Sequence, residues 1–205
     1  KAAANKLAIA GVGVAATALT AFGVAAFKAG MEMEPLKKAF FDLTTNSDEL
    51  LESLNKSTGG VVSNLDLIKS SNQALMLGIK QNKLPEFFEI ASKLGKATGR
   101  SVSEALGDIT LGISRQSKMI LDNIGIVINT EEAYRKYAES IGKTTSTLTE
   151  NEKSIAFQNE ALEIGRTKAE ALTFATDGGT DAVLRGKKAW DDFKTSVGVN
   201  AFNAL

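Results

Sequence analysis

The sequence of 205 residues contains no cysteine and no histidine. Disulfide bonds, thiolate nucleophiles, Ser-His-Asp catalysis and most zinc sites need one of these two side chains, so the sequence argues against those kinds of chemistry. The HExxH motif of metalloproteases, the GxSxG motif of serine hydrolases and the GxxxxGK phosphate-binding loop are also missing. We therefore expect a protein that is not an enzyme and that holds no cofactor and no metal ion.

The sequence also lacks a net charge, because 24 basic residues balance 24 acidic residues. Positive charge supplies most of the attraction between proteins and nucleic acid, so we expect no sequence-specific nucleic-acid binding. Three acidic pairs resemble catalytic carboxylates in composition: Glu131 and Glu132, Glu150 and Glu152, and Asp191 and Asp192. Each pair falls in a first helical turn or on a polar helix face, where acidic residues are common, and we interpret all three as structural.

Proline and aromatic residues are scarce. There are two prolines, Pro35 and Pro85, and aromatic residues make up 6% of the chain. Few prolines leave long helices unbroken, and the apolar residues recur at helical spacing between short breaks rich in Gly, Ser and Asn. The pattern predicts about eight or nine helices and no strand with alternating apolar residues. The sequence therefore predicts an all-α fold, in which amphipathic helices either pack together or form an extended array.

Capping and breaking residues indicate where several helices begin and end. Ser101 or Ser103 is predicted to cap one helix, and Thr149 with Glu152 matches the capping box of another. Gly165 is predicted to end the helix that begins at this box.

Composition divides the chain into three parts. Residues 1–30 form an apolar helix, residues 31–172 form the main helical region, and residues 173–205 contain a hinge and a last helix. The hinge is Thr176–Thr180, which contains two consecutive glycines. Trp190, the only tryptophan, is predicted to lie in the core or between helices.

The segment Leu7–Phe27 is a run of 21 residues without a charged side chain. A helix of this length spans roughly 31 Å, which is the thickness of the hydrocarbon core of a bilayer. Lys6 and Lys28 flank the run, where lysine side chains reach towards a membrane surface. The candidate residues for membrane insertion are the larger apolar ones: Leu7, Ile9, Val12, Val14, Leu19, Phe22, Val24 and Phe27.

Three interpretations of this apolar run stay open: a transmembrane helix, a helix buried within an assembly, and a signal peptide. The last fits less well, since the apolar part of a signal peptide has about 7–15 residues. Lys28 is equally well explained as the polar end of a buried helix. The small residues Gly11 and Ala15, and Ala26 and Gly30, stand four residues apart, a spacing that lets helix backbones approach closely.

Several phrases of the sequence follow one another in an order typical of one protein family. They are Lys37–Thr44, Gly107–Ile113, Met119–Ile128, Glu131–Ala138, Ser140–Lys143, Leu148–Glu150 and Lys153–Leu162. In this order they resemble the tape measure proteins of phage tails, over roughly residues 31–198, although Thr45 stands where that family usually has glycine. The resemblance brings no catalytic residue with it.

The resemblance implies a structural component of a virion, located in several copies in the lumen of the phage tail, whose length sets the length of the tail. The implied partners are the tail tube protein, tail assembly chaperones, baseplate or tail tip hub proteins, further copies of the chain and, during genome ejection, the host membrane. The alternative is a small helical membrane-active protein of the pore-forming or toxin-like kind, which would share the apolar run.

Overall fold

A computed structural model describes residues 2–172 and 179–204, with the side chains of residues 21–172 and 181–204. Within these residues the chain forms nine α-helices, two short 3-10 turns and no strand, which confirms the predicted all-α class. The helices are α1 (Ala2–Leu43), α2 (Ser47–Ser57), α3 (Asn64–Met76), α4 (Leu84–Ala97), α5 (Val102–Ser114), α6 (Lys118–Asp122), α7 (Thr130–Ser140), α8 (Glu150–Ala171) and α9 (Gly179–Asn203).

Helix α1 joins the apolar run to the amphipathic segment that follows it. The helix is 42 residues long and passes without a break through residue 30, where composition places a domain boundary. Pro35 lies inside the helix. Proline removes one helical hydrogen bond but is tolerated when packing holds the helix on both sides of it. Met33 and Phe40, on either side of Pro35, are both buried in the core and provide that packing.

The end of α1 and helices α2–α8 fold around one hydrophobic core, and we call residues 33–172 the body. Its largest fully buried side chains are Phe40, Leu54, Leu67, Ile68, Leu84, Phe87, Phe88, Leu106, Ile109, Leu121, Ile124 and Phe157. The apolar helix faces therefore pack against one another within the chain. Of the two arrangements that the sequence allows, the structure has the packed one, not the extended array.

A short extended segment follows α6. Ile126 and Ile128 are buried, whereas Val127 between them is 66% exposed, so the side chains alternate as in a strand, although no strand in the described part of the chain pairs with them. Gly125, with a φ of 78°, makes the turn into this segment.

Local hydrogen bonds explain where two of the helices begin. The Ser101 hydroxyl accepts the N–H of Glu104, and the Glu104 carboxylate accepts the N–H of Ser101 at 2.9 Å, so Ser101 rather than Ser103 caps α5. The predicted box of Thr149 and Glu152 is confirmed at the start of α8, where Glu152 accepts the N–H of Thr149 at 2.8 Å. Each box satisfies amide groups that a helix start otherwise leaves unpaired.

The predicted end of α8 at Gly165 is wrong, because α8 continues to Ala171. Gly165 is buried within the helix, and a Cβ atom at this position would lie 2.8 Å from Cγ2 of Ile90 and 3.3 Å from Cδ1 of Ile126. The glycine therefore allows α4 to approach α8 closely, and it does not break the helix.

The body should tolerate alanine at one glycine of α5 and not at the other. Nothing lies within 4 Å of a Cβ atom added to Gly107, whereas one added to Gly112 lies 2.6 Å from Cγ of Leu121. We expect Gly107→Ala to raise the free energy of unfolding by about 0.5–1 kcal/mol, because alanine favours helix. Gly112→Ala should lower it by about 1–3 kcal/mol through overpacking. Urea unfolding measures both, and equal effects would contradict the packing of α6 on α5.

The capping box of α8 should make stability depend on pH. A hydrogen bond from Lys143, followed by that from the Thr149 amide, lowers the pKa of Glu152 from 4.5 to about 2. Because the folded pKa is depressed, the stabilisation by this carboxylate is complete above pH 4.5 and disappears as the pH falls towards 2. The difference in unfolding free energy between the wild type and Glu152→Gln should shrink over this range. A difference that stays constant on acidification would argue against the ionised cap.

Candidate interaction surface

The ten residues that the sequence singles out for membrane contact all belong to α1. The side chains of six of them lie outside the described residues: Lys6, Leu7, Ile9, Val12, Val14 and Leu19. Of the other four, Phe22 and Phe27 are half-buried, Val24 is 72% exposed and Lys28 is exposed. The described end of the apolar run is thus partly covered by other parts of the chain.

The covering element is α9, which crosses α1 with its backbone in contact. A Cβ atom added to Gly198 would overlap the carbonyl oxygen of Ala26, and one added to Gly30 would overlap the backbone of Gly198. Ala26 and Gly30 are both buried. The four-residue spacing of Ala26 and Gly30 therefore does permit close helix packing, as the sequence predicts. The contacts of the other pair with this spacing, Gly11 and Ala15, lie outside the described part of the structure.

An aromatic cluster, formed by Phe22, Trp190 and Phe193, lies beside this crossing. The ring of Phe22 has its centroid 5.4 Å from that of Trp190 and 5.9 Å from that of Phe193, and the last two are 5.8 Å apart. Such separations are favourable for aromatic pairs. Trp190 and Phe193 are each 53% exposed, so Trp190 lies between helices but not in the core. The cluster leaves a sizeable apolar area at the surface.

Two acidic residues of α9 connect it to the body. The carboxylate of Asp181 pairs with Nζ of Lys96, in the last turn of α4, at 2.9 Å. The carboxylate of Asp192 accepts the N–H of Asn64, the first residue of α3, at 2.9 Å. A helix start carries partial positive charge and free amide groups, which explains the position of Asp192.

Five charged residues of α9 form ion pairs within the helix. Asp191 binds Lys187 at 2.6 Å and Lys194 at 2.8 Å, and Asp192 also pairs with Lys188. Although burial raises the pKa of Asp191, the hydrogen bonds from Lys187 and Lys194 outweigh burial and lower this pKa below its usual value. The acidic pair of α9 therefore neutralises neighbouring lysines, which agrees with its structural interpretation.

A polar cleft of about 190 Å³ separates α9 from the ends of α3, α4 and α5. Its four cationic side chains each have a carboxylate partner: Lys96 with Asp181, Arg100 with Asp108, Lys187 with Asp191, and Lys188 with Asp192. Because these charges are balanced, the cleft is a polar contact zone between α9 and the body and has little attraction for a small anion.

The other two acidic pairs also serve the helices that contain them. Glu132 and Glu139 bind Arg135 of the same helix at 2.6 and 2.7 Å, and Glu150 binds Lys153 at 2.7 Å. Across the residues with described side chains, no three His, Cys, Asp or Glu residues are grouped so that they could hold a metal ion.

Within residues 21–172 and 181–204, no helix is both long enough and apolar enough to cross a membrane. The candidate Leu7–Phe27 falls mainly outside that range.

No protein-family model matches the sequence, and no solved structure matches the fold. Function is therefore inferred from the residues and their contacts.

The close crossing of α1 and α9 can be tested with two glycines of α9. Gly198 contacts the backbone of α1, whereas a Cβ atom at Gly186 has nothing within 4 Å. We expect Gly198→Ala to lower the unfolding free energy by about 1–3 kcal/mol and Gly186→Ala to raise it slightly. The emission of Trp190 should move to longer wavelength in Gly198→Ala alone, since α9 must shift away from Phe22. The same response in both variants would rule out the crossing.

Proposed function

We propose that this chain is part of a phage tail tape measure protein, a structural component that sets tail length and assists genome delivery through the host membrane. The observation that carries the proposal is the order of phrases over roughly residues 31–198 that resembles this family. The all-α fold is compatible with it.

The position of the resembling phrases in the fold supports a structural role. Four of the seven phrases contribute fully buried side chains to the same core, namely Phe40, Ile109, Leu121, Ile126 and Phe157. The resembling phrases therefore include residues that pack helices together, which is compatible with a structural role.

Exposed apolar residues support contacts with other proteins. Outside the α1–α9 pair, large apolar side chains are exposed on several helices and loops of the body, including Met76, Met119 and Val127. Contacts with the tail tube protein, tail assembly chaperones, tip hub proteins or further copies would cover such side chains. The balanced charge of the sequence supports a place in an assembly over sequence-specific binding of nucleic acid.

The membrane part of the proposal depends on α1. Its residues Leu7–Phe27 contain no charge, and a helix is the conformation in which a single segment satisfies its backbone hydrogen bonds within lipid. The aromatic cluster lies at one end of this run, and aromatic side chains are favoured where lipid meets water. Lys28, which is exposed, would lie at the same boundary.

The alternative function is that of a small helical pore-forming or toxin-like protein. The apolar run and the exposed aromatic cluster favour it equally, since both functions would use a membrane-active helix. The two functions differ in the gene that encodes the chain. A reading frame many times longer, beside genes for tail tube proteins, favours the tape measure, whereas a frame of this size alone favours the toxin-like protein.

A peptide of Leu7–Phe27 should bind phospholipid vesicles and become helical on them. A matched peptide with Val14→Lys places a charge in the middle of the run, which costs about 2.5–3.5 kcal/mol in a membrane, so it should bind much less. Circular dichroism and vesicle flotation measure both effects. If the unmodified peptide stays in solution without helical structure, the membrane part of the proposal fails.

Deleting helices of the body from the full-length protein should shorten the phage tail. The expected change is up to about 1.5 Å per residue removed, the rise of a helix lying along the tail axis. Electron microscopy of the mutant phage measures the length, and a duplication of the same segment should lengthen the tail correspondingly. Tails of unchanged length would contradict the tape measure role.

A further inference from the structure

We propose that α9 is a displaceable cover for the end of the apolar run of α1, and that its departure makes this end available to a lipid bilayer. The inference rests on the membrane part of the proposed function and adds the element that controls it.

The first observation is what α9 covers. Ala26 and Gly30 are buried where α9 crosses α1, Phe22 packs against Trp190 and Phe193, and Phe27 lies 6.1 Å from Phe202 between ring centroids. When α9 leaves, this apolar surface meets water. Moving such exposed apolar surface, next to an uncharged run, from water into lipid lowers the free energy of the system.

The second observation is that α9 contributes little to the hydrophobic core of the body. Among the described apolar side chains of α9, only that of Val199 packs against this core, and it is only half-buried. The core contacts of α1 come instead from Met33, Leu36 and Phe40. Removing α9 therefore leaves no cavity inside the body, whereas removing any other long helix would open one.

The third observation is that the other described contacts attaching α9 to the body include two polar ones. When α9 leaves, Asp181 and Lys96 both return to water, and hydration largely offsets the lost ion pair. Asp192 releases the amide of Asn64 in the same way. Such contacts position a helix without fixing it irreversibly.

The fourth observation is that α9 contains its own stabilising pairs. Lys187 with Asp191 and Lys188 with Asp192 are spaced by four residues, which stabilises a helix in the absence of tertiary contacts. The departure of α9 is therefore a movement of an intact helix, and it does not require the helix to unfold.

Lipid fits the uncovered surface better than a second copy of the chain. The sequence from Leu7 to Phe27 is uncharged around the whole helix, so one flat protein contact would cover only part of its circumference. Lipid surrounds a helix completely. Lys28, at the end of the run, suits the polar boundary of a bilayer, because its ammonium group can reach the headgroups.

The experiment displaces α9 in the intact chain. Gly198→Leu forces the backbones apart at the crossing, and Gly186→Leu is the matched control on the same helix, because its Cβ position is open. Trp190, the only tryptophan, reports release of α9 through a shift of emission to longer wavelength. Flotation with vesicles of phosphatidylcholine and phosphatidylglycerol reports membrane binding. We expect Gly198→Leu to show the emission shift and roughly fivefold more vesicle-bound protein than the wild type or Gly186→Leu.

Three results would overturn the inference: no emission shift in Gly198→Leu, a shift without increased vesicle binding, or self-association in sedimentation in place of vesicle binding. If Gly198→Leu loses cooperative unfolding, the double variant Asp181→Ala and Asp192→Ala takes its place. The same emission shift and the same increase in vesicle binding are then expected of the double variant. Its control is Asp191→Ala, since Asp191 pairs only with lysines of α9 among the ion pairs described. If the Leu7–Phe27 peptide binds vesicles but the displaced variants bind no better than wild type, only the role of α9 fails.

Discussion

One helix, α1, takes part in both of the packing contacts on which the structure depends. Its last turns place Phe40 in the core of the body, where interlocked side chains exclude water completely. Its middle turns contact α9 through Ala26 and Gly30, with the backbones touching and few side chains between them. The first contact fixes α1 to the body. The second joins it to a helix that contributes only Val199 to the apolar packing of the body core.

Local features of the sequence were sufficient for the fold class and for several helix boundaries. Thr149 with Glu152 could be recognised because a capping box depends on residues three positions apart. Gly165 was misinterpreted because its role depends on Ile90, on a helix far away in sequence. The bond between Asn64 and Asp192, which are 128 positions apart, leaves no local pattern at all.

The candidate surface likewise has some features that the local sequence reveals and others that it does not. Composition identifies Phe22 and Phe27 as apolar residues at the end of a run, and their described contacts are with α9. Composition does not specify whether an apolar residue meets protein or lipid, because both environments remove it from water. In the proposed function, the two environments compete for one surface. The protein cover, α9, shields the apolar surface from water before assembly. Lipid replaces α9 when the chain reaches the membrane.

Amide hydrogen exchange on the intact chain tests most directly whether α9 and the body are held by separate contacts. Protection of each amide reports the free energy of the opening that exposes it. The account predicts that the amides of α9 and of residues 22–30 exchange faster than those of α5 and α8, and that adding vesicles protects residues 22–30 while α9 stays exchangeable. Equal protection of α9 and the body helices, unaffected by vesicles, would contradict it.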